Sequence, residues 1–416
     1  MKQRHQILND PRFRLVYDEH RPFTEAPAPR HLRLNCEGFT LAPGVKKKTQ
    51  VYPGMLLATH PSMEKGDLHS SVYGVISDIN VRSIFIDSAD PADLDGSVRD
   101  AVVEPFDLLA SGLEGDALIE AVKKLGVNTK SIGKKCDVLV INGLNPEPGV
   151  AWAEPMLDGH CPEIGAAIKL LRRIGRAGRL ILAVPEGTVI DSREFDGIEI
   201  AYVEPEYPNS IGELLIKRIT GIELPEGWDY VGIHNVWSLG RVALRGLPLM
   251  RTVITIGRGA QHENFIVRNG TIVGDLLEDA GIEVENGDTI FRGGPLRGEG
   301  LDRLDRSITK GAIGFFLLKA GEVPPMDGDS PCVNCGACVH ICPTRIDPRM
   351  LSRYAEFARF DMSRKAYFGL CVDCGLCGYV CIARRPVLQY IRLAIAKLEQ
   401  EDAIKRLVPI EPIGRN

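Results

Sequence analysis

Apolar and polar positions divide the chain into stretches of different period. Between residues 33 and 90 the apolar residues come in short runs broken by glycine, as in "PGMLLATHPSMEKGDLHSSVYGVISDIN", a punctuation that predicts short strands and turns. From about 130 to 245 the pattern changes to "CDVLVING", "EIGAAIKLLRRIG", "RLILAVP", "IEIAYVEP" and "GELLIKRITG". Apolar strands alternating with amphipathic helices predict a parallel or mixed sheet covered by helices. Residues 246 to 300 return to short strands and glycine turns, with one short helix in "TIVGDLLEDAGI". "TIGRGAQ" and "FRGGPLRGEG" lie in that β context and read as hairpin turns. Farther on, "DPRMLSRYAEFARFDMSRKAYF" predicts a helix, and "PVLQYIRLAIAKLEQEDAIKRL" a long amphipathic one.

Two cysteine runs bracket the first of these helices. "CVNCGACVHICP" spaces Cys332, Cys335, Cys338 and Cys342 at steps of three, three and four, and "CVDCGLCGYVC" repeats that spacing at Cys371, Cys374, Cys377 and Cys381. Three thiolates at such spacing wrap one [4Fe–4S] cluster, and in two-cluster ferredoxin domains the fourth cysteine of each motif ligates the other cluster. Cys332, Cys335 and Cys338 are therefore expected to pair with Cys381, and Cys371, Cys374 and Cys377 with Cys342. Gly336 and Gly375, each after the second cysteine, let the backbone approach the cluster. Structural zinc uses two CxxC pairs separated by a longer loop, and a disulfide framework needs an oxidising compartment. Pro343 follows Cys342 but Ile382 follows Cys381, so the surroundings of one cluster are expected to differ.

Composition narrows the setting. The 416 residues are 44% hydrophobic and 25% charged, with a net charge of −5. These values suit a multidomain globular protein and give no basic face for nucleic acid. The apolar runs fall short of the roughly eighteen residues of a membrane span, and the charged N-terminus lacks the apolar core of a secretory signal. The expectation is a cytoplasmic chain with reduced thiols. Cys36, Cys136 and Cys161 stand apart from the motifs and read as packed thiols.

The order of these blocks resembles the RnfC family, the peripheral iron–sulfur subunits of Rnf electron-transport complexes, and its relatives NqrA and the flavin-binding subunit of respiratory complex I. The segments that carry the resemblance are "VLVINGLNPEPG", "YPNSIGELLIKRITG", "HNV", "RGGPLRG", "ITKGAIGFFLL" and "LQYIRLAIAKLE", in that order around the eight cysteines. The resemblance implies an α/β and α+β multidomain protein: an N-terminal extension (1–32), a barrel-sandwich domain of biotinyl/lipoyl type (33–100), an α/β domain related to the complex I flavin subunit (101–245), a β-grasp SLBB-like module (246–322) and a C-terminal helical dicluster ferredoxin domain (323–416). Lys65 lacks the flanking residues of a swinging-arm lysine.

The resemblance also implies partners: other subunits of a redox complex, membrane-bound ones among them, and a ferredoxin- or flavoprotein-type donor or acceptor. The chain would then sit at the inner face of the cell membrane through those subunits. Relatives that oxidise NADH carry a glycine-rich GGAGFPT-type loop for FMN. Here the region reads "ASGLEGDALIEAVKKLGVNTKSIGKK", with no paired glycines, and "EGDALIEAVKKLG" predicts a helix. Of the acidic segment that meets flavin in such proteins only Glu147 remains, beside Leu144 and Asn145. Glu147 is the candidate flavin or nucleotide contact, and the turn formers Pro148 and Gly149 after it give a plain turn as the other reading. Three functions follow: an electron-relaying oxidoreductase subunit without its own FMN, a complete FMN-containing NADH oxidoreductase subunit, or a scaffold braced by clusters.

Overall fold

The computed structural model describes residues 13–16, 21–159, 161–195, 197–259, 261–322 and 330–407. The chain divides into two compact units, Arg14–Ala320 and the segment from Gly321 onward, to which Phe13 also belongs.

In the larger unit a strongly apolar strand lies inside the parallel sheet. Cys136–Asn142 is buried from Val138 onward on both faces, as its uninterrupted apolar run requires. It lies between Ala177–Pro185 and Trp228–Gly232, with Glu199–Val203 at the far edge, and all pairings are parallel. Cys161–Ile174 packs against Ile233–Arg245, whose buried residues include Ile233, Val236, Trp237 and Leu239. Helices Gly212–Thr220 and Ile233–Arg245 both end on a left-handed glycine, Gly221 and Gly246.

Residues 31–88 form two antiparallel sheets, one of four strands and one of three, which share a core that includes Leu32, Val51, Leu57, Ile76 and Ile84. A six-stranded mixed sheet follows. Arg251–Arg258 and Gln261–Arg268 form a hairpin, and Thr289–Arg292 pairs antiparallel with Glu299–Gly300, so both glycine-rich segments join paired strands. Helix Val273–Asp279 packs its apolar side into this sheet's core. Residues assigned to an N-terminal extension supply the sheet's edge: Phe23–Glu25 runs parallel to Gln261–Arg268.

The smaller unit is helical. The segment expected as one helix between the cysteine motifs is two, Pro348–Glu356 and Phe360–Lys365, because Ala358 takes a left-handed φ of 53°. A left-handed residue cannot continue a right-handed helix. Asp347 caps the first helix, accepting the Met350 amide at 3.0 Å, with Pro348 in its first turn. The long helix Val387–Leu407 forms as expected, and Val387, Leu388, Ile391, Ala394 and Leu398 mark its buried stripe. Among the described residues no helix is long and apolar enough to cross a membrane.

Candidate metal centres and the Glu147 loop

The eight motif cysteines divide between two cavities. One is lined by Cys332, Cys335, Cys338 and Cys381, the other by Cys342, Cys371, Cys374 and Cys377. Each cavity thus takes three thiols from one motif and the fourth from the other.

The backbone repeats as the spacing does. Asn334 and Asp373 both have φ 54°, Gly336 and Gly375 have 77° and 76°, and Arg345 and Arg384 have 59° and 50°. Three left-handed turns per motif bring its cysteines to one wall, and Asn, Asp and Gly are the residues that enter this region most readily. Short helices Ala337–Ile341 and Leu376–Tyr379 start directly after the two glycines. Proline is not what makes the turn after the fourth cysteine. The Arg345 amide donates to the Cys342 carbonyl at 3.3 Å, and the Arg384 amide to the Cys381 carbonyl at 3.0 Å, although Ile382 replaces proline in the second.

The surroundings of the two cavities differ. Cys335 is exposed and Cys332, Cys338 and Cys381 are half-buried, whereas Cys342, Cys374 and Cys377 are buried. Cys342 and Cys377 belong to the core of the unit, with Ile346, Leu351, Val387, Leu388 and Ile391. Burial pushes the Cys338 thiol up to about 11, and Asp347 and the neighbouring thiols add to the shift. Burial also raises Cys377 and Cys371. Thiols so raised hold their protons at neutral pH, and a cation bound there would have to displace them. Among the described residues no three His, Cys, Asp or Glu side chains converge as a single metal ion requires.

Two arginines brace these loops. Buried Arg385 donates to the Ser330 carbonyl and to Glu356, both at 2.6 Å. Arg392 of the long helix grips Asp373 inside the second motif. Neither role was visible in the cysteine spacing. The Asp at the position of Asn334 in the repeat was the available signal.

Glu147 sits in the larger unit, 1% exposed. One carboxylate oxygen accepts the Gly294 amide at 2.9 Å, and the other accepts those of Leu296 and Arg297 at 3.0 Å each. Burial raises its pKa, and Arg297 and the three amides oppose the rise. A side chain at Gly294 would place its Cβ 2.0–2.3 Å from the carboxyl group, so only glycine allows this approach. The residues that follow form a turn, with the Val150 amide bonded to the Glu147 carbonyl at 3.2 Å and Gly149 at φ 89°. Leu144 and Asn145 are buried, and Asn145 bridges the Leu15 carbonyl and the Ala153 amide. In place of a glycine-rich loop stands helix Gly115–Lys124, with Leu118, Ile119 and Val122 inward. Cys36 is buried and Cys136 half-buried, both raised by burial; the side chain of Cys161 lies outside the described residues.

No family model matches the chain. The C component of a proton-translocating ferredoxin:NAD(+) oxidoreductase complex from Clostridium ljungdahlii is 28% identical over 420 aligned positions, which cover 90% of either chain. The C component of the ion-translocating oxidoreductase complex of Haemophilus influenzae strain KW20 is 30% identical over 67% of this chain, which spans only 36% of that protein. Among solved structures, a chain of an NAD+-reducing [NiFe]-hydrogenase in the H2-reduced state aligns with 73% of this chain and 68% of its own length, at 13% identity and a TM-score of 0.45. By its similarity to these components of ion-translocating complexes, the chain is RnfC-like.

Proposed function

We propose that this chain is an electron-transfer subunit that relays single electrons through two [4Fe–4S] clusters, between a partner redox subunit and an acceptor. The observation that carries the reading is the four-and-four division of thiols between two cavities, with the fourth of each set crossing from the other motif. A cluster held by four thiolates takes up and releases one electron at a time. The residues of the chain hold the ligands in place: the repeated left-handed turns aim the thiols, Arg385 and Arg392 fix the loops, and the apolar core beside Cys342 and Cys377 limits water at one of the two sites. Four thiolates also suit a tetrahedral zinc ion; the C-x2-C-x2-C-x3-C spacing, with the fourth thiol crossing to the other set, is what favours clusters.

The larger unit would dock the chain into its complex. We assign residues 33–100 to a barrel-sandwich domain, 101–245 to an α/β domain of flavin-subunit type, 246–322 to a β-grasp module and 323–416 to the dicluster domain. The two small antiparallel sheets, the parallel four-stranded sheet and the mixed sheet with its single helix support this division. The similar proteins are named as parts of ion-translocating complexes, one using ferredoxin and NAD(+). Partner subunits of that kind would hold this chain at the membrane surface, with a ferredoxin- or flavoprotein-type donor or acceptor.

A relay without its own FMN is favoured by the Glu147 carboxylate, engaged by three amides, and by the helix at residues 115–124, whose amides from Leu118 onward bond within the helix. Anaerobic purification with iron, sulfide and flavin analysis tests the reading. Roughly eight irons and eight sulfides per chain are expected, bleached by dithionite and not by NADH. One FMN per chain with NADH-dependent bleaching would overturn it in favour of a flavoprotein.

A further inference from the structure

Four arginines converge on a cavity of about 200 Å³ in the larger unit. Arg241 and Arg245 stand one turn apart at the end of helix Ile233–Arg245, and Arg251 and Arg268 are partners in the register of the hairpin. The rest of the wall is apolar, from Pro53, Val242 and residues 247–250, and among the described residues no acidic side chain lines it. The four charges are only partly matched. Arg251 gives one terminal nitrogen to Glu25, and Arg268 gives one to the Ser71 carbonyl. Arg241, 7% exposed, has no hydrogen bond or ion pair among the described residues, and its guanidinium lies over the Trp237 ring at 4.9 Å. Its unbonded nitrogens are not enclosed in protein, so they open on the cavity that the side chain lines. The negative end of the helix dipole accounts for Arg245, which is exposed. It does not account for a buried guanidinium one turn earlier, which needs an anion.

We propose that this cavity binds a small phosphate-type oxyanion, as inorganic phosphate or as the phosphate end of a soluble compound. Guanidinium groups only donate, so the ligand must present acceptors. The donors come from two sides, the helix end and the hairpin. A tetrahedral anion offers oxygens to both at once, whereas a carboxylate presents two on one edge. The stack on Trp237 holds the plane of Arg241 and leaves its N–H edge free. Burial lowers Arg241 to about 10, with Arg245 and Arg251 adding to the shift; the carboxylates that oppose it are Glu163 and Glu25, and Glu25 is already held by Arg251. Arg268 is lowered in the same way, by burial and then by Arg251. Such an excess of positive charge is matched better by a dianion than by a monoanion. The volume lies below the roughly 300–1,000 Å³ of organic-ligand sites, which suits a phosphate or diphosphate group rather than a whole nucleotide.

Calorimetric titration of the full chain, purified with its metal centres in chloride buffer, tests this with inorganic phosphate, diphosphate and acetate. Both phosphates should bind about tenfold or more tighter than acetate. Arg241→Met, which replaces the guanidinium with an apolar end, should weaken both about tenfold. Arg245→Glu changes an exposed side chain on the rim and should weaken them by about the same factor, so the test stands if the buried variant does not fold. No binding of either phosphate at millimolar concentration, acetate as tight as phosphate, or undiminished binding in Arg245→Glu would each overturn the proposal. Recruitment to vesicles containing phosphatidic acid, with no binding of the soluble probes, would overturn it too and make the arginines a lipid contact.

Discussion

Arg392 forks onto Asp373, its Nε and a terminal nitrogen each 2.7 Å from one carboxylate oxygen. The pair ties the long C-terminal helix to the loop between Cys371 and Cys374. A bidentate pair of this kind fixes orientation as well as distance. Arg392→Met should leave the helix formed but loosen the second motif, so iron content falls from roughly eight toward four per chain. Iron analysis with EPR of the reduced protein checks this. Full iron retention would make the pair ornamental to the site.

The crossed arrangement of thiols makes an asymmetric demand on mutants. Cys342→Ser should damage the centre that Cys371, Cys374 and Cys377 share, although Cys342 lies in the other motif. Cys332→Ser should damage the other centre. Two EPR signals lost separately by the two variants fit the crossing. Loss of the same signal from both would assign each motif its own cluster.

At Glu147 the choice between flavin contact and loop brace can be read in one variant. Glu147→Gln keeps the shape but turns an amide group toward backbone N–H donors that now share two carboxylate oxygens. Stability should fall by about 1–3 kcal/mol, with flavin content unchanged. All three tryptophans, Trp152, Trp228 and Trp237, lie in the larger unit, so urea unfolding followed by their fluorescence reports on the affected part. Loss of bound flavin without loss of stability would point to a cofactor role.

Two buried histidines set an acid limit on the same unit. Burial holds His69 at about 3 and His234 at about 4, against an ordinary value of 6.5. The unfolded chain therefore gains protons near pH 6.5 that the folded chain refuses. The stabilising difference is complete above that pH and is lost as pH falls through 6.5 toward the folded values. Each histidine contributes a slope of about 1.4 kcal/mol per pH unit in that window. Urea midpoints by tryptophan fluorescence should drop between pH 7 and pH 5. His234→Gln, which retains a partner for the Thr252 hydroxyl at 2.9 Å in the parent, should reduce the slope by about half.

How legible all this was in the sequence depended on range. Val138 to Ile141 announced a central strand because both faces are buried and nothing polar interrupts the run. The cysteine motifs and the helix after them were legible for the same local reason. The break at Ala358 was not, since apolar spacing continues across it while a single left-handed residue ends the helix. Phe23 to Glu25 gave no strand signal of their own; their partners begin at Asn264.

Cys335 is exposed and its counterpart Cys374 is buried, although spacing and backbone repeat between them. On the two-cluster reading, matched thiols in unmatched surroundings would give the pair an order of vulnerability. Oxygen and chelators would then reach the set around Cys335 first, so damage in air should be stepwise. A half-iron preparation would then be a defined species that keeps the Cys342, Cys371, Cys374 and Cys377 centre, and its redox behaviour would isolate the inner partner without any mutation.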